Sequence, residues 1–349
     1  MGKGIALAFK QRFPDMYDDY VRRCQAGEVK LGRPYLYPRL IPPWIINFPT
    51  KEHWRSVSRL DAIVEGLTFL TAHYREWGIE SLAVPPLGCG QGQLEWSVVG
   101  PTLYRYLNRL QVPVELYAPY GTPHEELQPS FLQANSAEGV KDMWSEPGRH
   151  MKPGWVALVE ILRRVESEPH HWPMGRISFQ KIAYFATQEG IDTGLSFVKS
   201  SLGPYAEGVK RLTARLQNHG LVRERQLGRM FEIRVGSTFP DARKAYADEL
   251  AEWEPAITRV VDLFLRLNTH KAELAASVHF AATHLAQKKS GNPSEVDVLG
   301  AVKDWKIRHR PAFRDDEIAR TVRSLNILGW LEADPTPDLP VEDEALAAS

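Results

Sequence analysis

The run PPLGCGQG at residues 85–92 constrains the fold of this chain more than any other stretch. A short apolar run precedes it at 81–84, and a helical pattern follows at 94–110. Glycines let a backbone adopt positive φ and approach a phosphate closely. The free N–H groups of such a turn and of the helix after it point at an anion. The order of strand, glycine turn and helix therefore predicts an anion site, and a tight connection without a ligand stays open as the alternative.

A second glycine turn favours the ligand-binding interpretation. Residues 1–6 read MGKGIA, and a helix is predicted from Ile5 to about Cys24. Two glycine turns, each leading into a helix, suit a ligand with two phosphates. Neither turn has the spacing GxGxxG or GxxxxGK[ST] of the common nucleotide-binding loops. Between the turns, an apolar strand at 44–48 ends before Pro49 and leads to a polar loop with Lys51, His53, Trp54 and Arg55. In open α/β sheets, ligands lie beyond the carboxyl ends of the strands, where these loops fall.

Three stretches together resemble the macrodomain family, which binds ADP-ribose, and within it the DarG branch, the antitoxins of DarT–DarG pairs. The stretches are MGKGIALAFKQRFP at 1–14, IINFPTKEHWR at 45–55 and PPLGCGQGQLEW at 85–96. Their number and order make the resemblance specific, and it covers residues 1–122. It implies a three-layer α/β macrodomain with a mixed sheet. It also implies removal of the ADP-ribose that a DarT toxin places on thymine in single-stranded DNA.

The resemblance further implies which residues form the site. ADP-ribose is expected on the two glycine loops, through Gly2, Lys3, Gly4, Ile5 and Ala6 in the first loop and Leu87, Gly88, Cys89, Gly90, Gln91 and Gly92 in the second. Lys51 is the expected catalytic residue, and His53 and Trp54 are candidate contacts of the thymine base. No cofactor and no metal is expected.

Lys51 can act in two ways that the sequence does not separate. Its ammonium can hold the leaving base or a phosphate and so stabilise an oxocarbenium-like charge distribution. A desolvated amine can instead act as a nucleophile, and a solvated surface lysine is the alternative without a role. A related vertebrate-like branch pairs such a lysine with an aspartate in the second glycine loop. Residues 90–93 read GQGQ here, which disfavours a covalent lysine–aspartate mechanism.

Other residues of this region have weaker interpretations. Cys89 could be a nucleophile, although a small residue packed beneath the loop is favoured. Glu95 lies at a predicted helix start, where a carboxylate stabilises the helix. Tyr117 or Tyr120, at the end of the last strand, is a candidate for the adenine side of the site.

The chain departs from the family at its start. Macrodomains usually have two strands and a helix before the GKGIA loop, with an acidic residue for adenine and an asparagine near the scissile bond. Met1 lies inside the expected loop, so either the true start codon lies upstream or the macrodomain is N-terminally truncated; we expect the truncated form. This leaves a second function open, that of a non-catalytic module that binds ADP-ribose or the toxin. A transcriptional regulator is a third hypothesis.

Length and composition limit the remaining choices. The 349 residues predict two or more domains, with 43% hydrophobic and 25% charged residues. The net charge is zero, so we expect any DNA contact at one site and not over a broad basic surface. The basic residues that could form such a site are Arg33, Arg39, Lys51, Arg55 and Arg59. Two cysteines exclude a disulfide framework. No apolar run approaches the ~18 residues of a membrane span and no signal peptide is recognised, so a cytoplasmic location without membrane contact is expected.

Strand patterns at 33–40, 44–48, 81–84 and 114–118 alternate with helical patterns at 58–77 and 94–110, which predicts a mostly parallel α/β sheet in the first part of the chain. The resemblance and the composition together predict four segments. They are the macrodomain at 1–122, a polar linker at 123–153 with one short helix and Trp144 as an anchor, a second domain at 154–332, and a disordered acidic tail at 333–349. Helices at 155–165, at 178–186 and after residue 203, followed by a hairpin at 221–235, have the order of a winged helix. Helical patterns resume at 241–268, 270–288 and 315–328. The second domain is therefore predicted to be mainly α and winged-helix-like.

One stretch of the second domain resembles the Panacea domain of antitoxins, which binds its toxin directly. The stretch is SFQKIAYF at 178–185, followed by GPY at 203–205. It is short and mainly apolar, so a generic helical core is an equally good interpretation. Together the resemblances imply three partners: a DarT-like toxin, ADP-ribose and ADP-ribosylated single-stranded DNA.

Overall fold

The computed structural model describes residues 2–51, 58–137, 151–228, 230–288, 291–307, 309 and 311–340. Contacts between Cα atoms divide the chain into two compact units. The first unit comprises Met1–Glu146 with Ala214–His219, and the second comprises Pro147–Thr213 with Gly220–Ser349. The boundary near residue 146 falls inside the segment predicted as a linker.

Helices and short strands alternate in the first unit. The elements are α1 (Gly4–Arg12), α2 (Pro14–Gln25), β1 (Tyr35–Tyr37), β2 (Ile45–Asn47), α3 (Leu60–His73), β3 (Leu82–Val84), α4 (Trp96–Leu107), β4 (Val114–Leu116), a 3-10 turn (His124–Leu127) and α5 (Pro129–Ala137). The strands predicted at 33–40, 44–48, 81–84 and 114–118 are confirmed within equal or shorter bounds. So are the helices predicted at 58–77 and 94–110.

The single helix predicted from Ile5 to Cys24 is wrong. α1 ends at Arg12 and α2 begins at Pro14, and Phe13 between them has φ −132° and ψ 70°. Proline lacks a backbone N–H, and its ring disfavours helical backbone at the preceding residue. Pro14 therefore ends the first helix, while its fixed φ suits the first turn of the second.

The strands of the first unit form one antiparallel and one parallel pair among the described residues. β1 pairs with β2 in antiparallel register, Tyr35 opposite Asn47, and β3 pairs with β4 in parallel, Leu82 opposite Val114. The expectation of a mostly parallel sheet is therefore wrong, and the mixed directions agree with the macrodomain expectation. The reason is the connection: the loop 38–44 is too short for the crossover that a parallel pair needs, whereas α4 supplies one between β3 and β4.

The core of the first unit lies between α3, α4 and β3. Ile63, Leu67, Val99 and Leu103 are fully buried there. Leu132 of α5 joins the same core, so the end of the predicted linker that lies nearest β4 packs on this unit. Trp144, the predicted anchor, lies outside the described residues.

The second unit is mainly helical with two antiparallel strand pairs. Its elements are α6 (Pro153–Ser167), α7 (Arg176–Gln188), β5 (Val198–Ser200), β6 (Gly203–Tyr205), α8 (Glu207–Asn218), β7 (Val222–Leu227), β8 (Met230–Val235), α9 (Phe239–Ala245), α10 (Ala247–Glu252), α11 (Glu254–Leu265), α12 (Thr269–Lys288), α13 (Glu295–Lys306) and α14 (Asp315–Ile327). The end of α8, from Ala214, is assigned to the first unit. The predicted hairpin at 221–235 is confirmed by the pairing of β7 with β8.

Two predictions about the second unit need correction, and one helix was not predicted. The helical pattern at 241–268 is interrupted at Tyr246 and Trp253, and Pro255 lies in the first turn of α11. α13 was not predicted, although Ser294 caps it with a reciprocal capping box to Asp297. The tail was predicted to be disordered from residue 333, but residues 333–340 are packed: Asp334 O accepts a hydrogen bond from Glu295 N at 3.0 Å, and Leu339 is buried. Residues 341–349 lie outside the described part of the chain.

The second unit has an aromatic core. Tyr184 and Phe185 of α7 pack edge-on against His279 of α12, and Phe185 also meets Phe264 and Trp330. Among the described residues, no helix is both long and apolar enough to cross a membrane.

Candidate functional site

The first glycine loop leads directly into α1. Lys3 precedes the helix in extended conformation, and Gly4 opens it with φ +57°, a left-handed value that favours glycine. No side chain caps the helix. Its first N–H groups, at Gly4, Ile5 and Ala6, are therefore not taken by a capping side chain and suit an anion.

The second glycine loop is folded back on itself after β3. Cys89 N donates to Pro86 O, Gln93 N to Gly90 O and Leu94 N to Gly88 O, at 3.1, 3.1 and 3.0 Å. α4 begins only at Trp96, so residues 93–95 separate this loop from the helix. The turn itself, rather than the N-terminus of α4, presents the N–H groups on this side.

The three glycines of this loop have different surroundings. A Cβ at Gly92 would lie 2.3 Å from Gly88 O, and one at Gly88, where φ is +76°, would lie 2.7 Å from Leu94 Cδ1. Both glycines are therefore required by the fold. A Cβ at Gly90 would meet nothing within 4 Å. Gly90 is the position of this loop at which a ligand can approach the backbone.

Lys51 lies against the second glycine loop. β2 ends at Asn47, and the chain continues to Lys51, whose Nζ donates to Gln91 O at 2.6 Å. A Cβ at Gly4 would be 3.8 Å from Gln91 Cγ, so the first loop meets the second at the same residue. The structure thus brings together the two glycine loops and Lys51. His53 and Trp54, the candidate base contacts, lie outside the described residues, as does Arg55.

The sequence did not indicate two residues of this site, Ser58 and Thr50. Ser58 is fully buried; its N–H donates to Gly92 O at 3.0 Å, and its Oγ donates to Thr50 Oγ1 at 3.2 Å. Ser58 precedes α3 and was predicted only as the start of that helix. No sequence pattern marks these contacts, because they depend on how the chain folds back on itself and not on helix or strand periodicity.

Cys89 is half-buried beneath the loop, with Sγ 3.8 Å from Leu87 O. Burial raises the pKa of its thiol to about 12. The thiolate, which is the nucleophilic form, is therefore suppressed at neutral pH. This favours the packing interpretation of Cys89.

The basic residues considered for DNA contact have acidic neighbours. Arg33 Nη2 is 3.5 Å from Glu65, Arg39 Nε is 3.3 Å from Asp15, and Arg59 pairs with Asp61. These pairs neutralise much of the local positive charge. Among the residues described, Lys51 lies beside the second glycine loop, and the exposed Lys3 lies within the first.

Tyr117 leaves the sheet at the same edge as the second glycine loop. Its N–H donates to Val84 O at 2.9 Å, and its hydroxyl donates to Glu115 at 2.7 Å. Tyr117 and Tyr120 are both exposed. Within the described ranges, no group of three or more His, Cys, Asp or Glu side chains is placed to hold a metal ion.

The arrangement combines backbone donors of two loops with the Lys51 amine beside the second loop. Amide N–H groups from two loops can hold a diphosphate, and an ammonium beside them can stabilise negative charge on a leaving group. These features suit a ligand that carries two phosphates.

Comparison with known proteins gave matches over both units. A Macro domain family model matches residues 1–103. A Thermus aquaticus protein named DNA ADP-ribosyl glycohydrolase is 34% identical over 81% of this chain and 76% of its own length. A Thermosipho africanus protein named as a fusion of a DNA ADP-ribosyl transferase and a DNA ADP-ribosyl glycohydrolase is 41% identical over 38% of this chain and 39% of its own. The solved structure of Thermosipho africanus DarTG in complex with ADP-ribose is 42% identical over 37% of this chain and 38% of that chain, with a TM-score of 0.36.

Proposed function

This chain belongs to the DNA ADP-ribosyl glycohydrolase family, and from that premise we propose that it removes ADP-ribose from thymine in single-stranded DNA. It is an enzyme, a glycohydrolase of ADP-ribosylated DNA. The bond cleaved would be the N-glycosidic bond between the distal ribose and the base. Water would supply the hydroxyl group, and the products would be ADP-ribose and restored thymine, in the cytoplasm.

One observation carries this proposal: the Lys51 amine lies 2.6 Å from Gln91 O, at the point where the two glycine loops meet. ADP-ribose would place its diphosphate on the N–H groups of both loops, near Gly4 and Gly90. Lys51 would then lie beside the distal part of the ligand, where the glycosidic bond breaks.

Of the two roles open to Lys51, we favour electrostatic stabilisation. A carbonyl acceptor stabilises the ammonium over the neutral amine, and Lys51 is half-buried rather than enclosed in an apolar pocket. The ammonium can then hold the negative charge that develops on the leaving thymine or on a phosphate. A nucleophilic amine would need stronger desolvation than this position provides.

The test uses an oligonucleotide that carries ADP-ribosyl-thymine and follows release of ADP-ribose. We expect Lys51→Ala to lower the turnover rate by about a hundredfold, the usual effect of losing a charge-stabilising group. Lys30→Ala, at an exposed lysine of the same unit, is the matched control. Full turnover by Lys51→Ala would remove this residue from the mechanism, and inactive wild-type protein would refute the proposed activity.

We further propose that the second unit, for which the sequence predicts a winged-helix-like domain, binds a DarT-like toxin. The support is a relative in which a DNA ADP-ribosyl transferase and a glycohydrolase form one chain. Direct binding would neutralise the toxin even when hydrolysis fails. If the toxin offers its basic DNA groove, binding should weaken with salt.

Toxin binding is tested with the hydrolysis-deficient full chain. The cognate toxin is co-expressed in one experiment with the full-length Lys51→Ala protein, and in a second with residues 150–349 alone. Both should co-purify with it and restore growth. No co-purification and no rescue by either would exclude the second unit as the toxin-binding part.

A further inference from the structure

The backbone at Lys51 is held by a pair of hydroxyl groups. Thr50 immediately precedes Lys51, and its Oγ1 accepts a hydrogen bond from Ser58 Oγ at 3.2 Å. The Ser58 N–H in turn donates to Gly92 O at 3.0 Å. Through these two bonds, the segment that carries Lys51 is linked to the second glycine loop.

Ser58 has little freedom to move in this position. It is fully buried, a Cβ at Gly92 would lie 2.2 Å from its Oγ, and a Cβ at Gly88 would lie 3.1 Å from its Cβ. The hydroxyl is therefore fixed by close packing against two glycines that the fold requires. A bond to so rigid a donor restrains Thr50 effectively.

The Lys51 segment is consequently attached to the glycine loop at two points. The amine meets Gln91 O, and the neighbouring residue is tied through Ser58 to Gly92. A lysine side chain is long and flexible, so the position of its amine depends on how firmly its backbone is held. Small displacements of a catalytic group cost much of its effect.

We propose that Thr50 and Ser58 are positioning residues, which keep the Lys51 amine in place against the second glycine loop. They act through Lys51 and need not touch the substrate. This inference rests on the role proposed above for Lys51. It adds two hydroxyl groups on which turnover, but not ADP-ribose affinity, depends.

Four variants of the full chain test it. Thr50→Val removes the acceptor at nearly constant volume, and Ser58→Ala removes the donor. Thr50→Ser keeps the acceptor oxygen and is the conservative rescue. The double variant, which combines Thr50→Val and Ser58→Ala, tests whether the two residues act as one unit. Thermal unfolding shows that each variant is folded.

The first readout separates turnover from binding. Thr50→Val and Ser58→Ala should each lower the turnover rate by about tenfold, the effect of one lost hydrogen bond. ADP-ribose affinity, measured by calorimetry, should change by less than about twofold in both. The double variant should be no slower than either single variant, and Thr50→Ser should match wild type.

The second readout does not depend on activity. Limiting acetic anhydride acylates exposed amines, and mass spectrometry compares Lys51 with Lys30 in the same sample. Losing the hydroxyl bond should release the amine from Gln91 O and raise acylation of Lys51 by about threefold in Thr50→Val and Ser58→Ala. It should not rise in Thr50→Ser.

The outcomes are distinct. If wild-type protein has no glycohydrolase activity but Lys51 acylation responds as expected, the proposed function fails and the positioning role stands. If acylation is unchanged in both Thr50→Val and Ser58→Ala, the positioning role is overturned whatever the activity. It is also overturned if Thr50→Ser is as slow as Thr50→Val, or if Thr50→Val leaves the turnover rate unchanged.

Discussion

At the scale of single residues, the second glycine loop separates ligand approach from folding. Gly88 and Gly92 have neighbours closer than 3 Å to the Cβ that any other residue would add, whereas Gly90 has open space. The loop thus needs two glycines for its own packing and one for access to its backbone. Substitutions at these positions should have different consequences.

Gly90→Val should abolish most ADP-ribose binding while the protein stays folded. The added branches would occupy the space through which the ligand reaches the loop N–H groups. Loss of about two hydrogen bonds to a charged group corresponds to roughly a hundredfold in affinity. Calorimetric titration measures it, with Gly300→Val, another glycine that has open space around it, as control. Unchanged affinity in Gly90→Val would refute the binding site.

Gly92→Ala should instead destabilise the first unit. Its Cβ would lie 2.2 Å from Ser58 Oγ and 2.3 Å from Gly88 O, so the loop must shift. Overpacking of this kind costs about 2 kcal/mol. Urea unfolding followed by the tryptophan fluorescence of the first unit measures the change, and Gly90→Ala is the control. Equal midpoints for both variants would contradict the different roles of the two glycines.

At the scale of elements, buried charges join helices that local patterns cannot connect. Glu295 at the start of α13 is fully buried and accepts two hydrogen bonds from Arg323 of α14, at 2.8 Å each. It also accepts one from Thr336 N at 3.1 Å. These ion pairs and hydrogen bonds lower the pKa of Glu295 although burial alone would raise it. One carboxylate therefore ties two helices and the segment 333–340 together.

Arg323→Ala should destabilise the second unit strongly. It would leave the Glu295 carboxylate buried without its cation, a change that typically costs about 3 kcal/mol or more. Arg320→Ala, which removes a more superficial pair with Asp316 on the same helix, should cost less than about 1 kcal/mol. Guanidinium unfolding compares the two variants. Similar losses from both would show that Glu295 is not the tie between these elements.

At the scale of the whole molecule, the two units combine a macrodomain with a helical region. The macrodomain fold expected for the first unit is confirmed by the family match, and the mainly helical second unit is confirmed by its elements. A buried histidine in the aromatic core also predicts how the stability of the second unit changes in acid. His279 lies 2.8 Å from the Tyr184 hydroxyl, and burial lowers its pKa from 6.5 to about 4.

Stability of the second unit should therefore fall as pH drops from about 6.5 towards 4. In that window, the unfolded chain binds a proton at His279 that the folded state resists, so acid favours unfolding. The contribution is on the order of 3 kcal/mol. His279→Phe should flatten this part of the curve of melting temperature against pH. Glu160 responds at lower pH. Burial alone would raise the pKa of its carboxyl, but hydrogen bonds from Arg163 and Arg164 lower that pKa to about 2, so its contribution to stability is lost only below about pH 4.5. Parallel curves for His279→Phe and wild type would contradict the prediction for His279.

The sequence by itself determined the local parts of this protein. The glycine loops, the position of Lys51 after β2 and the hairpin at 221–235 all follow from short patterns of glycine, apolar residues and strand ends. Their physical basis is local, because positive φ, strand alternation and helix starts depend on neighbouring residues. Pro14 is also a local signal, because proline ends a helix, although the predicted helix at 5–24 ran through it.

Only the tertiary structure decided which residues complete the site and which contacts hold residues 333–340. Gly90 has open space and Gly92 does not because of atoms of Ser58 and Gly88 that surround the loop. Ser58 reaches Gly92, and Glu295 reaches Arg323 and Thr336, across long separations in sequence. Ser58 also reaches Thr50, on the other side of a loop. Such contacts arise from how packed elements place backbone and side-chain atoms in space, and no periodic pattern of residue types encodes them.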